Sequence, residues 1–180
     1  ANPETNFWKQ VKKNLPKYRW VRIESWATQG VPDLLGFTEE GRLFTVELKV
    51  SKSNRISVSP HQVAFHVERE DCPCFILVKR SSEKEPKKSE VLLYEGGKIR
   101  EISEQGTRIK PVFALSYPHN WKELENFLDK SVNILDQWWK TEKAERPFFH
   151  HQRKTHTRCS FFHHVYFYFF FGIGVRDPLG

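Results

Sequence analysis

Methionine is absent from this sequence, and cysteine nearly so. Three cysteines, Cys72, Cys74 and Cys159, are too few and too irregularly spaced for a disulfide framework, and no secretory signal opens the chain. A cytoplasmic setting follows as the expectation. The missing initiator Met is read as processing, or as a chain that begins inside its gene. Long apolar runs are missing too. Residues 165–175 are apolar but cover only eleven positions, too short for a helix to cross a bilayer, so no membrane association is expected. No internal repeat is present. Cys72-Pro73-Cys74 is C-x-C rather than the redox or zinc spacing C-x-x-C, and it reads as structural.

What is plentiful is positive charge. Lys and Arg number 29 against 22 Asp and Glu, a formal net charge of +7, and the sequence pI is about 9.3. That balance suits a polyanionic partner, nucleic acid first. At 180 residues the chain can bury one core, with an appendage.

Phe7, Val11 and Leu15 recur at four-residue steps with lysines opposite, which predicts a short amphipathic helix ending before Pro16. Residues 18–24 alternate as a strand, and 34–37 form a second. A turn at 38–41 leads into a third over 43–50, where alternation predicts a half-buried strand. Residues 51–55 are a polar, basic loop. Ser59, Pro60 and Gln62 spell a helix start with a capping box, and that helix should run to about residue 70. Residues 74–79 are a buried-type strand and 81–90 a charged loop. In that loop Lys84, Lys87 and Lys88 alternate with acids and read as solvated. Residues 91–94 and 98–102 flank Gly96-Gly97 as a hairpin. A C-terminal helix over 121–139 carries Leu124, Phe127, Leu128, Ile134 and Leu135 as its apolar stripe.

The chemistry concentrates in Gly30-Val31-Pro32-Asp33 and in Glu47-Leu48-Lys49. On a strand of period two, Thr45, Glu47 and Lys49 share one face while Phe44, Val46 and Leu48 face a core. Two carboxylates converging with one ammonium suit a divalent cation such as Mg²⁺, or Mn²⁺ in its place. With it they form the minimal apparatus for phosphodiester hydrolysis. Lys49 would orient or deprotonate water, or stabilise charge on the phosphorane; the residues alone leave those roles open. The competing reading of Glu47 and Lys49 is an ordinary surface pair.

These landmarks, with Val21-Arg22-Ile23-Glu24-Ser25 before them and Val58-Ser59-Pro60-His61-Gln62 after, resemble the PD-(D/E)xK nuclease superfamily. The resemblance covers residues 7–117 and is nearest to the VRR-NUC and Holliday-junction-resolvase-like phage-type branches. It implies an α/β core, a mixed central sheet flanked by helices, in a domain spanning 1–117, followed by the helix of 118–140. It implies a Mg²⁺-dependent DNA endonuclease selective for branched or junction DNA, working as a homodimer and with no small-molecule cofactor. The alternatives are a sequence- or damage-directed nickase and a non-catalytic DNA-binding module.

By resemblance, Asp33, Glu47 and the Leu48 carbonyl are metal ligands, Lys49 is catalytic, and Gln62 reaches the active site; capping Ser59 is that glutamine's competing role. Glu4 matches the extra acid that an N-terminal helix brings in related resolvases. Capping by Asn2 or Thr5 is the competing role for that segment, and Glu24 is the alternative acid. Ser25 matches a site-flanking serine, or ends a strand. Arg22, Lys52 and Arg55 are the expected DNA contacts, Ser25 being grouped with them. They would hold the backbone rather than read bases. His61 and His66 read as a solvated and a partly buried helix residue.

Residues 141–180 differ in character. They hold ten of the 26 aromatics and five of the eight histidines. They read as an atypical extension, a frameshifted or read-through tail without regular order. His150, His151, His156, Cys159, His163 and His164 could make a zinc site, but at no recognised spacing.

Overall fold

The computed structural model describes residues 2–24, 29–81 and 85–145. The elements are α1 (Pro3–Asn14), β1 (Arg19–Arg22), β2 (Leu34–Phe37), β3 (Leu43–Ser51), α2 (Pro60–Glu68), β4 (Cys74–Arg80), β5 (Glu90–Glu95), α3 (Ile99–Gln105), β6 (Phe113–Ser116) and α4 (Trp121–Glu145). The six strands make one mixed sheet in the order β1-β2-β3-β4-β5-β6. Strands β3 and β4 are parallel, because α2 carries the chain back across the sheet between them. Their other neighbours pair antiparallel. The chain is therefore α/β, a mixed sheet flanked by helices.

Local chemistry sets the helix starts. Pro3 occupies the first turn of α1, and the Asn2 side chain accepts the Glu4 amide at 3.0 Å. At α2 the Ser59 hydroxyl accepts the Gln62 amide at 3.1 Å, and Gln62 Oε1 accepts the Ser59 amide at 3.1 Å. This is the reciprocal capping box that the sequence spells out.

Both faces of the sheet are covered. On one, Phe44, Val46 and Leu48 of β3, with Phe75 and Leu77 of β4, pack under Phe7 and Val11 of α1 and Leu124, Leu128 and Val132 of α4. On the other, Ile76, Val78, Leu92 and Tyr94 pack under Ile99 and Ile102 of α3, with Val63 and Val67 of α2 against them. Each fully buried aliphatic or aromatic side chain contributes about 1.5–3 kcal/mol.

The packing of the two layers corrects four expectations. Strand β3 is buried on both faces, not half-buried: Thr45 and Glu47 are 0% and 1% exposed. The hairpin expected at 91–102 keeps its first strand, but a 3-10 turn (Gly96–Lys98) follows it and residues 99–105 are helical. Ile99 and Ile102 are three residues apart, the spacing of one helical face, and both are fully buried. His66 is also fully buried. In α4 the buried stripe runs Leu124, Leu128 and Val132 in steps of four, while Ile134 is 65% exposed.

Candidate active site

The site forms at one end of the sheet, where β3 runs past the start of β2. The pairing ends at Leu34 opposite Val46. One step further, Asp33 replaces the ladder with its side chain: its Oδ2 accepts the Leu48 amide at 2.8 Å. Its backbone carbonyl accepts the Ile23 amide at 2.8 Å, so Asp33 is held from both neighbouring strands. In a strand the N–H and C=O of one residue point to the same neighbour. The Leu48 carbonyl is thus directed to the side on which the Asp33 carboxylate lies.

Glu47 and Lys49 project from the opposite side of β3 to Leu48, toward α2. Lys49 Nζ lies 3.1 Å from Glu47 Oε1 and donates to Gln62 Oε1 at 3.2 Å. Gln62 Nε2 donates to Glu47 Oε1 through a short hydrogen bond. The two roles foreseen for Gln62 are not exclusive, since its Oε1 accepts from both the Ser59 amide and Lys49. The lysine is mostly buried and the glutamate almost wholly so, at 13% and 2% side-chain exposure.

Electrostatics agree with the geometry. Burial pushes the Glu47 carboxyl up to about 7, the charge of Asp33 pushes the same way, and Lys49 pulls against both. Burial also raises Asp33, opposed by the Leu48 amide and Lys49. Glu4, at the start of α1, is raised by burial. It feels Lys49, Asp33 and Arg22, which places it in the same field. One oxygen, Glu47 Oε2, is buried without a hydrogen-bond partner.

These residues fit a hard divalent cation. An orphaned carboxylate oxygen, a second carboxylate beside it and acids whose charge burial disfavours are what such an ion compensates. Asp33, Glu47 and the Leu48 carbonyl would hold it, with Glu4 nearby. Among the described residues no group of three or more His, Cys, Asp or Glu side chains is gathered for metal binding.

The other expected residues divide. Arg22 is exposed, 3.8 Å from Glu24, and acts electrostatically on Asp33 and Glu4. Glu24 is 77% exposed in that pair. Lys52 and Arg55 are exposed on the loop after β3. His61 is exposed, as expected, while His66 Nδ1 donates to the Gln62 carbonyl oxygen at 2.9 Å, a structural contact. Cys72 and Cys74 pack with Phe65, in keeping with a structural role. Ser25 lies outside the described residues, as do His150, His151, His156, Cys159, His163 and His164.

One residue of the Gly30-to-Asp33 motif takes a role that the sequence alone did not assign. Gly30 has φ +86°, and a Cβ there would lie 2.3 Å from the His61 carbonyl oxygen. Only glycine admits this packing of the Asp33 loop on the start of α2. The Gly-Val-Pro-Asp run was its available signal.

No protein-family model and no curated protein matches the chain. No helix among the described residues is long and apolar enough to cross a membrane.

Proposed function

We propose that this chain is a divalent-metal-dependent DNA endonuclease with a PD-(D/E)xK core. The observation that carries the reading is the convergence of Asp33, Glu47 and Lys49, with Gln62 joining the last two, where β3 runs past the start of β2. A surface Glu/Lys pair requires none of this: not the burial, the orphaned oxygen or the shared glutamine.

Bound Mg²⁺ or Mn²⁺ would neutralise the scissile phosphate and assist the departing oxygen. The remaining work belongs to the protein. Asp33 and Glu47 would hold the cation. Lys49, its ammonium fixed by Glu47 and Gln62, orients the attacking water or offsets charge developing on phosphorus. Gln62 aligns Lys49 and Glu47, which keeps the lysine at one position instead of many. Arg22, Lys52 and Arg55 hold the DNA backbone without reading bases.

The proposed substrate is branched DNA, cut by a homodimer because a four-way junction needs two symmetric incisions. The proposed setting is cytoplasmic. The deciding experiment is cleavage of labelled four-way junction, flap, single-stranded and linear duplex DNA in Mg²⁺ and Mn²⁺, beside Lys49→Ala. Paired junction cuts that vanish in the variant are expected. Equal cleavage of all four substrates would remove the junction preference, and sequence-dependent nicking of duplex would favour a nickase. Binding without cleavage in either metal would sink the nuclease and leave a DNA-binding module.

A further inference from the structure

Residues 51–55 leave β3 two positions after Lys49, about 7 Å along the strand from it. The structure holds this exposed loop from several sides. Inside it, Ser51 Oγ lies 2.8 Å from the Arg55 carbonyl and accepts the Ser53 amide at 3.1 Å, and Ser53 Oγ accepts the Arg55 amide at 3.1 Å. Across the chain, the Thr107 amide donates to Asn54 O at 2.8 Å and the Thr107 hydroxyl to Asn54 Oδ1 at 2.9 Å. Arg80 donates to the same Oδ1 at 2.8 Å and to Thr107 Oγ1 at 3.3 Å, while it pairs with Glu90. Gly106 has φ +62°, and a Cβ there would sit 1.7 Å from Asn54 O.

Two segments fifty residues apart are therefore docked backbone to backbone, through a contact that only glycine permits. Neither 51–55 nor 106–108 contains an acid, and together they expose Lys52, Arg55 and Arg108. Ordering an exposed loop costs backbone entropy at every residue. Meeting that cost during folding removes it from binding. We infer that 51–55 and 106–108 form one preorganised cationic ledge that grips the DNA phosphate backbone beside the catalytic strand. Arg108 is its third contact, and Asn54, Arg80, Gly106 and Thr107 are positioning residues. The ledge rests on the reading of this chain as a DNA enzyme, and it contacts phosphates independently of sequence.

The test is binding of a fluorescein-labelled duplex by the full chain in EDTA, over a range of salt. Arg108→Gln, a surface change, should flatten the slope of log K against log salt by about 0.9, the amount for one phosphate contact. Gly106→Ala keeps every cation but should weaken binding. Should that variant fail to fold, Thr107→Val should raise KM for cleavage with kcat unchanged, and Thr107→Ser should restore it. A wild-type salt slope in Arg108→Gln overturns the ledge even where cleavage persists. The expected slope change in a protein that cuts no DNA supports the ledge and removes the nuclease instead.

Discussion

Gln62 donates from Nε2 to Glu47 Oε1, and so ties the first turn of α2 to the middle of β3. Its other amide atom is shared between the Ser59 amide and Lys49. The residue that starts the helix therefore also aligns the charged pair. Gln62→Ala should show both losses. The lost reciprocal bond to the Ser59 amide costs about 0.5–1.5 kcal/mol of stability, and the freed Lys49 lowers the cleavage rate by roughly tenfold or more. Thermal unfolding beside single-turnover cleavage separates them. A variant with the stability loss and full activity would leave Gln62 as a cap alone.

The raised carboxyl of Glu47 makes a pH prediction with a definite sign. Its ordinary value is 4.5, and in the folded protein it stands at about 7. The folded state thus keeps a proton that the unfolded chain has already released. Stability from this group is complete below pH 4.5, falls as pH rises toward 7, and is least above that, by about 3 kcal/mol. Metal-free Glu47→Gln should be more stable than the wild type at pH 8 and level with it at pH 4.5. Adding Mn²⁺ should raise the wild-type Tm at pH 8 more than at pH 5.5, and leave that of Glu47→Gln unchanged. Denaturant unfolding at the two pH values checks the first claim, and a thermal scan with Mn²⁺ the second.

How much of this was legible beforehand depended on distance along the chain. The capping box of Ser59 and Gln62, the strand of residues 34–37 and the order of Asp33, Glu47 and Lys49 are local signals, and the structure contains them as read. The burial of Glu47 was not legible, because α2 meets it, through Gln62, from outside its own strand. Gly96-Gly97 suggested a hairpin and hid the three-residue spacing of Ile99 and Ile102. The docking of Asn54 on Thr107 joins residues 53 positions apart, beyond the reach of any periodicity.

Lys49 should tolerate neither shortening nor a change of head group. Its ammonium meets Glu47 and Gln62 within about one hydrogen-bond length each, in a largely buried position. The planar fork of Arg is wider and cannot occupy that point. Lys49→Ala and Lys49→Arg should each reduce cleavage by about 10²–10⁴-fold. Lys49→Ala should also push the Glu47 carboxyl further upward, since the cation that pulls it down is gone. Cleavage rates measured at saturating Mg²⁺ test the first statement, and carboxyl titration by NMR the second. Near-normal cutting by Lys49→Arg would reduce the lysine to a general positive charge.

Gly30 and His61 supply the last prediction. The φ of +86° at Gly30 is one that L side chains rarely adopt, and a Cβ would press on the His61 backbone at 2.3 Å. Gly30→Ala must therefore move either the Asp33 loop or the first turn of α2, at a cost of about 1–3 kcal/mol. Moving either one separates Asp33 from the Gln62 side of the site, so cleavage should fall at temperatures where the variant is still folded. Gln29→Ala, next door and exposed, should stay within about 0.5 kcal/mol of wild type and keep its activity. Parallel unfolding and cleavage of the two variants gives the answer. If Gly30→Ala loses stability but cuts DNA normally when folded, the contact supports the fold and does not align the site.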